Sequence, residues 1–185
     1  MKNIEKTLIG IQSTEILQSK SLLNSFFIQS LQEMFYAENV LAQEFAGLKN
    51  QIISSDLENT IGIHFAIHLK HKERLEKIFQ LINVSNSSTI CSSFNALLSE
   101  GKNQLSVFSD DHSNWEIALI LVSQKLTHYK IASYGGLAHL AIKLNHYKAA
   151  TLLAFSVQEE EDYISNNLNG VIDRFMASRF LSSNN

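Results

Sequence analysis

Five ionisable side chains fall where the surrounding pattern is apolar. Glu38 interrupts a stripe of Leu23, Phe27, Leu31, Met34, Leu41 and Phe45. His64, His68 and His71 interrupt Leu57, Ile61, Leu75, Ile78 and Ile82, and Glu160 interrupts Ala149, Leu153, Val157, Ile164, Val171 and Phe175. Each stripe recurs at three- and four-residue steps, the spacing of one helical face. Charged groups rarely enter a core unless they are paired. Carboxylates and imidazoles aimed inward from several helices are also the donors that suit iron, manganese or zinc. In helical bundles, a Glu from each of two helices and a Glu-x-x-His from each of two others make a two-metal site. The metal reading takes Glu38, His64, His68 and Glu160 as ligands. No Glu-x-x-His is complete, because Ile61, Phe65 and His68 stand three residues before His64, His68 and His71. A full dinuclear site is therefore not expected. Against any metal stands the commoner case of a histidine hydrogen-bonded within a core. His71, near the end of its helix, is open to a solvent-facing reading.

The elements that must position these groups are helical. From Glu116 to Leu144 the chain is apolar on two sides, with Ile117, Ile120, Leu121 and Ile131 on one and Leu119, Val122, Leu126, Leu137 and Leu140 on the other. Between them runs a strip of Ser123, Thr127, Lys130, Tyr134 and Ala141. A helix apolar on two sides packs between partners, so this one is placed centrally. Residues 1–20 read as an arm or short helix, and residues 21–180 as a single domain. Its first helix runs from Ser21 toward Gly47. Ser55 to Glu58 has the capping-box form, with Ser55 as the cap of a helix reaching Leu81 or Ile82. Residues 83–89 are a small-polar loop and Ile90 to Leu105 a short helix. A last helix follows His146. The long connection between Leu81 and Trp115 predicts a crossover between bundle helices 2 and 3. The expected fold is all-α, a ferritin-like four-helix bundle with short auxiliary helices.

The composition agrees. The chain has 185 residues, no proline, seven glycines and a formal charge of -3. It is long enough for a real core, and the lack of proline favours uninterrupted helices. The charge offers no basic surface for nucleic acid. The single cysteine, Cys91, cannot form an internal disulfide and suits a reducing compartment, so a cytoplasmic location is expected. It reads most simply as a small buried hydrophobe. Lys2 and Lys6 precede an apolar run broken by Gln12, Ser13, Thr14 and Glu15, which is no signal-peptide core. No stretch is apolar for long enough to span a membrane.

Residues 124–135 (Gln-Lys-Leu-Thr-His-Tyr-Lys-Ile-Ala-Ser-Tyr-Gly) resemble the signature of the YciE/YciF family of ferritin-like stress-response proteins, Ala-Ala-Gln-x-Val-Glu-His-Tyr-Glu-Ile-Ala-x-Tyr-Gly. The likeness extends from about Leu22 to Leu168. Tyr36-Ala37-Glu38, His64 with Arg74-Leu75-Glu76, Cys91 with Leu97 and Glu100-Gly101, and Glu159-Glu160 resemble further family stretches in the same order. The resemblance implies family matches at Glu38, His64, His128 and Glu160, and a homodimer. It also exposes departures. Thr127 and Lys130 stand where the family carries two glutamates one helical turn apart, a spacing suited to metal bridging. Ala66 and Ile67 fill the turn where relatives place a carboxylate, and Ile164 stands in for a usual aspartate. An ammonium at Lys130, close to Glu38 and Glu160, would supply the positive charge that a metal supplies in relatives.

Three functions compete. The first is a non-enzymatic stress-response protein with a degenerate di-metal site, binding no cofactor. The second is an oxidoreductase-like protein holding one weakly bound iron, manganese or zinc on Glu38, His64, His68 and Glu160. The third, an iron-storing or DNA-protecting cage, is disfavoured by the acidic balance. Tyr129 and Tyr134 read as core aromatics with hydrogen-bonded hydroxyls.

Overall fold

A computed structural model describes residues 2–182 of the chain. Its elements are α1 (Lys2–Leu48), α2 (Ser55–Leu81), α3 (Ser92–Ser106), α4 (His112–Lys143), α5 (Tyr147–Tyr163) and α6 (Asn169–Ser182). A turn of 3-10 helix follows α1, and a π-helical turn (Ile164–Leu168) joins α5 to α6. The architecture is all-α and ferritin-like. Helices α1, α2, α4 and α5 form the bundle, with α1 packed on α2, α4 on α5 and α2 on α5. The crossover between α2 and α4 carries α3, which lies against α4.

With no proline available, asparagines end α2 and α4. Asn83 and Asn145 adopt positive φ of 58° and 66°. Each lets the following amide turn back to close the last turn, Val84 N to Phe79 O at 3.0 Å and His146 N to Ala141 O at 2.8 Å. The cap of α2 is Ser54, not Ser55. Its hydroxyl accepts from the Leu57 amide at 3.4 Å. Glu58 has no role in holding the preceding amides, because a carboxylate from α4 does so instead. Glu116 accepts from Ile53 N at 2.7 Å and Ser54 N at 2.8 Å, which ties the start of α2 to α4. Gly101 sets the approach of α3, since a Cβ there would lie 2.6 Å from a Val122 methyl.

The core is divided. One apolar cluster holds Ala37, Leu41 and Phe45 with Leu57, Ile61, Leu119, Leu126 and Tyr163. The other holds Phe27, Leu31 and Met34 with Leu75, Ile78, Tyr134, Leu137 and Leu153. Every bundle helix crosses from one cluster to the other. The crossings coincide at Glu38, at His64 to His71, at Thr127 to Lys130 and at Ser156 to Glu160. All the buried ionisable groups of the stripes therefore meet at one level of the bundle. Two features depart from the periodicity. Leu121 is half-exposed, so the outer side of α4 is only partly covered. The last helix is not continuous. Tyr163 is buried, and the next buried position is five residues on, at Leu168. That is the step of a π turn, which rephases the face so that Ile164 is only partly buried.

Candidate functional site

The inward strip of α4 brings Lys130 into a layer of carboxylates and imidazoles. Glu38, His64, His71, Lys130 and Glu160 are all 0% exposed and His68 1%. Lys130 Nζ lies 3.0 Å from Glu38 Oε1 and in ion-pair contact with Glu160 Oε1. It also lies 2.7 Å from His68 Nδ1, which is itself 2.7 Å from Glu38 Oε2. One ring nitrogen can accept from the ammonium or donate to the carboxylate, not both, so these three atoms compete for one proton. Tyr134 donates its hydroxyl to Glu38 Oε1. His64 Nε2 is 3.0 Å from Glu160 Oε2, and the Thr127 hydroxyl sits 3.5 Å from the same nitrogen while donating to Ser123 O.

His71 is at the centre of the layer rather than in solvent, because it lies on the same buried face of α2 as His64 and His68. Its Nδ1 is 3.3 Å from both Glu38 Oε1 and Glu160 Oε1. Its Nε2 is 3.0 Å from Glu159, whose other partner is Arg74 at 2.8 Å. Arg74 also donates to Ser156 Oγ. His71, Glu159 and Arg74 thus connect the buried groups to a half-buried ion pair near the surface. His128 is exposed and plays no part in the layer, and Ala66 is exposed while Ile67 is a core residue.

Charge balance sets the protonation. Burial would push Glu38 and Glu160 up, but Lys130 and the neighbouring histidines outweigh it and hold both well below the usual carboxylate range. Burial lowers His64 against the opposing pull of Glu160. Burial, together with Lys130 and His64, lowers His68 to about 3. Glu159 is lowered to about 2, first by its hydrogen bond from His71 and then by Arg74. Tyr134 and Tyr163 are both raised, by burial and by the carboxylate each one faces. The layer at neutral pH is therefore ionised carboxylates, neutral His64 and His68, and a lysine.

The donor set does not fit two metals. The α4 positions that would bring two more carboxylates carry Thr127 and Lys130, and an ammonium already contacts both Glu38 and Glu160. A single ion fits better. Donor atoms of His64, His68 and Glu160 lie within 4.8 Å of one another. His64 Nδ1 and His68 Nε2 have no hydrogen-bond partner among the described residues. Around the layer, Phe45 stacks on His68 at 5.0 Å and Tyr163 on His64 at 4.0 Å. Tyr163 is the residue that periodicity did not assign to the site, whereas His71 lay on the apolar stripe but outside the expected ligand set. Tyr163 lies one turn after Glu160, the signal that would have found it.

The comparisons agree with this architecture. Residues 23–179 match a family model described as a domain of unknown function, DUF892. Protein YciF of Escherichia coli (strain K12) is 31% identical over 144 residues, covering 75% of this chain and 84% of its own. The crystal structure of the E. coli stress protein YciF has a TM-score of 0.76 at 27% identity, over 84% of this chain and 97% of that one. YcfI from Rhodopseudomonas palustris, at a TM-score of 0.75 and 24% identity, covers 80% of this chain and 92% of that one and bears on fold alone. The chain belongs to the YciF family, the family of the DUF892 domain.

Proposed function

We propose that this is a non-enzymatic, cytoplasmic stress-response protein in which a lysine has replaced the metals of a two-metal site. The observation that carries the reading is Lys130 Nζ in contact with Glu38, Glu160 and His68 at once, with all four side chains buried. The ammonium supplies the charge that the carboxylates require, without a metal. The layer then fixes the register of four helices instead of turning over a substrate. The relative named as a stress protein lends the context. Among the described residues, no helix is long and apolar enough to cross a membrane. Leu22, Leu23 and Phe26 are exposed beside a groove between α1 and α4, a surface suited to a second copy of the chain.

The second reading is a single transition-metal ion held by His64, His68 and Glu160, with Glu38 beside it. It is favoured by the close grouping of those donors and by the two unpartnered ring nitrogens. The two readings differ in the melting temperature of protein purified without chelator. Adding chelator leaves it unchanged in the first and lowers it in the second.

A further inference from the structure

The first bundle helix is longer than the bundle. α1 runs unbroken from Lys2 to Leu48. The turn between α4 and α5 already stands beside Asn24 and Phe27, with His146 Nε2 3.4 Å from Asn24 Oδ1 and the His146 ring 5.7 Å from that of Phe27. The helix before Asn24 therefore extends past its partners as an arm of about 20 residues, roughly 30 Å at about 1.5 Å per residue. Gln18 to Leu23 are all exposed. The family model matches residues 23–179, so the arm lies outside the domain shared with the relatives. Its sequence carries Ile4, Leu8 and Ile11 at three- and four-residue steps, and the exposed Leu22 and Phe26 fall in the same phase further along α1. An apolar stripe on a helix calls for a partner surface, and a lone helix of this length is marginal in water. Phe26 stands at a shallow groove between α1 and α4, lined by Met34, Ala132, Gly136, Leu137 and Leu140. At Gly136 nothing lies within 4 Å of where a Cβ would be, so the groove has room there for an incoming side chain.

We propose that the arm of α1 docks in the α1–α4 groove of a second copy of the chain, which returns its own arm in the same way, so that two copies exchange arms. This rests on the reading of Leu22, Leu23 and Phe26 as a surface suited to a second copy, and it names the element that completes that surface. Continuity selects the occupant. The stripe that enters the groove through Leu22 and Phe26 is the one that the arm carries outward. Two copies set antiparallel about a two-fold axis near Leu22 therefore bring each arm over the other's groove, with Ile11 of one at the level of Met34 of the other. Size agrees as well. Two arms and two grooves, each about 30 Å long and about 10 Å wide, remove on the order of 1,200 Å² from water, the area at which stable specific interfaces begin.

The test uses the full chain. Sedimentation equilibrium of the wild type is expected to give a dimer. Leu8→Glu with Ile11→Glu is expected to raise the dissociation constant roughly hundredfold or more, with the helical circular dichroism of the bundle retained. A photoreactive side chain that leaves the arm apolar, Ile11→p-benzoylphenylalanine, is expected to join two chains on a denaturing gel after irradiation, through a peptide lying between Tyr129 and Leu140. A wild-type dimer that the paired arm substitutions leave intact, or a cross-link that stays within one chain, overturns the arm exchange and leaves the surface for a second copy standing. A junction of one arm to the other overturns the groove as the arm's seat. A wild-type monomer, or a cage of many copies, overturns both the exchange and that surface. None of these outcomes bears on the lysine-balanced layer, which metal analysis tests separately.

Discussion

Replacing Lys130 by Met keeps most of the side-chain volume and removes the charge. At 3.0 Å from Glu38, with an effective dielectric constant near 20, the lost attraction is about 332/(20 × 3.0), or roughly 5.5 kcal/mol, and Glu160 is in closer contact still. The ammonium's own desolvation, several kcal/mol, is recovered at the same time. The net expectation is the range seen when one member of a buried pair is removed, about 3–5 kcal/mol at pH 7. For a domain of this size that is a fall in melting temperature of roughly 10 °C. The sign of the pH dependence is distinctive. Without Lys130, burial dominates at Glu38 and Glu160, so both take up protons in the folded variant at a higher pH than in the wild type. The penalty should therefore shrink between pH 7 and pH 5, and adding Glu160→Gln to Lys130→Met should recover part of it. Urea unfolding of wild type and variant across that range, on chains of confirmed full mass, is the assay. A penalty under about 1 kcal/mol at pH 7, or one that does not change with pH, would refute the charge-balance argument.

Other expectations follow from the same layer. Restoring carboxylates at the two α4 positions, as Thr127→Glu with Lys130→Glu, should convert the layer to a metal binder, seen as metal retained through gel filtration by elemental analysis. The buried imidazoles make stability fall with acid. His68, ordinarily near 6.5, titrates near 3 in the fold, and His64 is lowered too, so the unfolded chain binds the extra protons. Their contribution is complete above about pH 6.5 and is lost on acidification at up to about 1.4 kcal/mol per pH unit for each ring. Glu38, Glu159 and Glu160 add a loss of the same sign below about pH 4.5. Unfolding free energies that rise from pH 7 to pH 5 would contradict this. Glu116→Ala should cost about 1–3 kcal/mol by leaving the amides of Ile53 and Ser54 without their acceptor, and hydrogen exchange at those two amides should speed up.

Much of this was legible in the sequence, for physical reasons that can be named. The four bundle helices announce themselves through three- and four-residue spacing, and a charged residue inside such a stripe must be either misphased or paired. Glu38, His64, His68, Lys130 and Glu160 converge because each lies where its helix passes between the two apolar clusters. Position along a helix misled at His71, where nearness to the presumed end counted for more than its place in the stripe. The cap of α2 was misplaced by one residue because its acceptor, Glu116, comes from 62 residues away and leaves no local pattern. The π turn after Tyr163 inserts one residue into a periodic stretch. A constant 3.6-residue period therefore assigns Ile164 inward and passes over Tyr163, the residue that stacks on His64.

The central claim is that a lysine, not metal, balances the carboxylates of this layer. Elemental analysis of protein purified without chelator tests it directly. The account predicts no iron, manganese or zinc in stoichiometric amount, before or after incubation with those metals. Close to two metal ions per chain would contradict it.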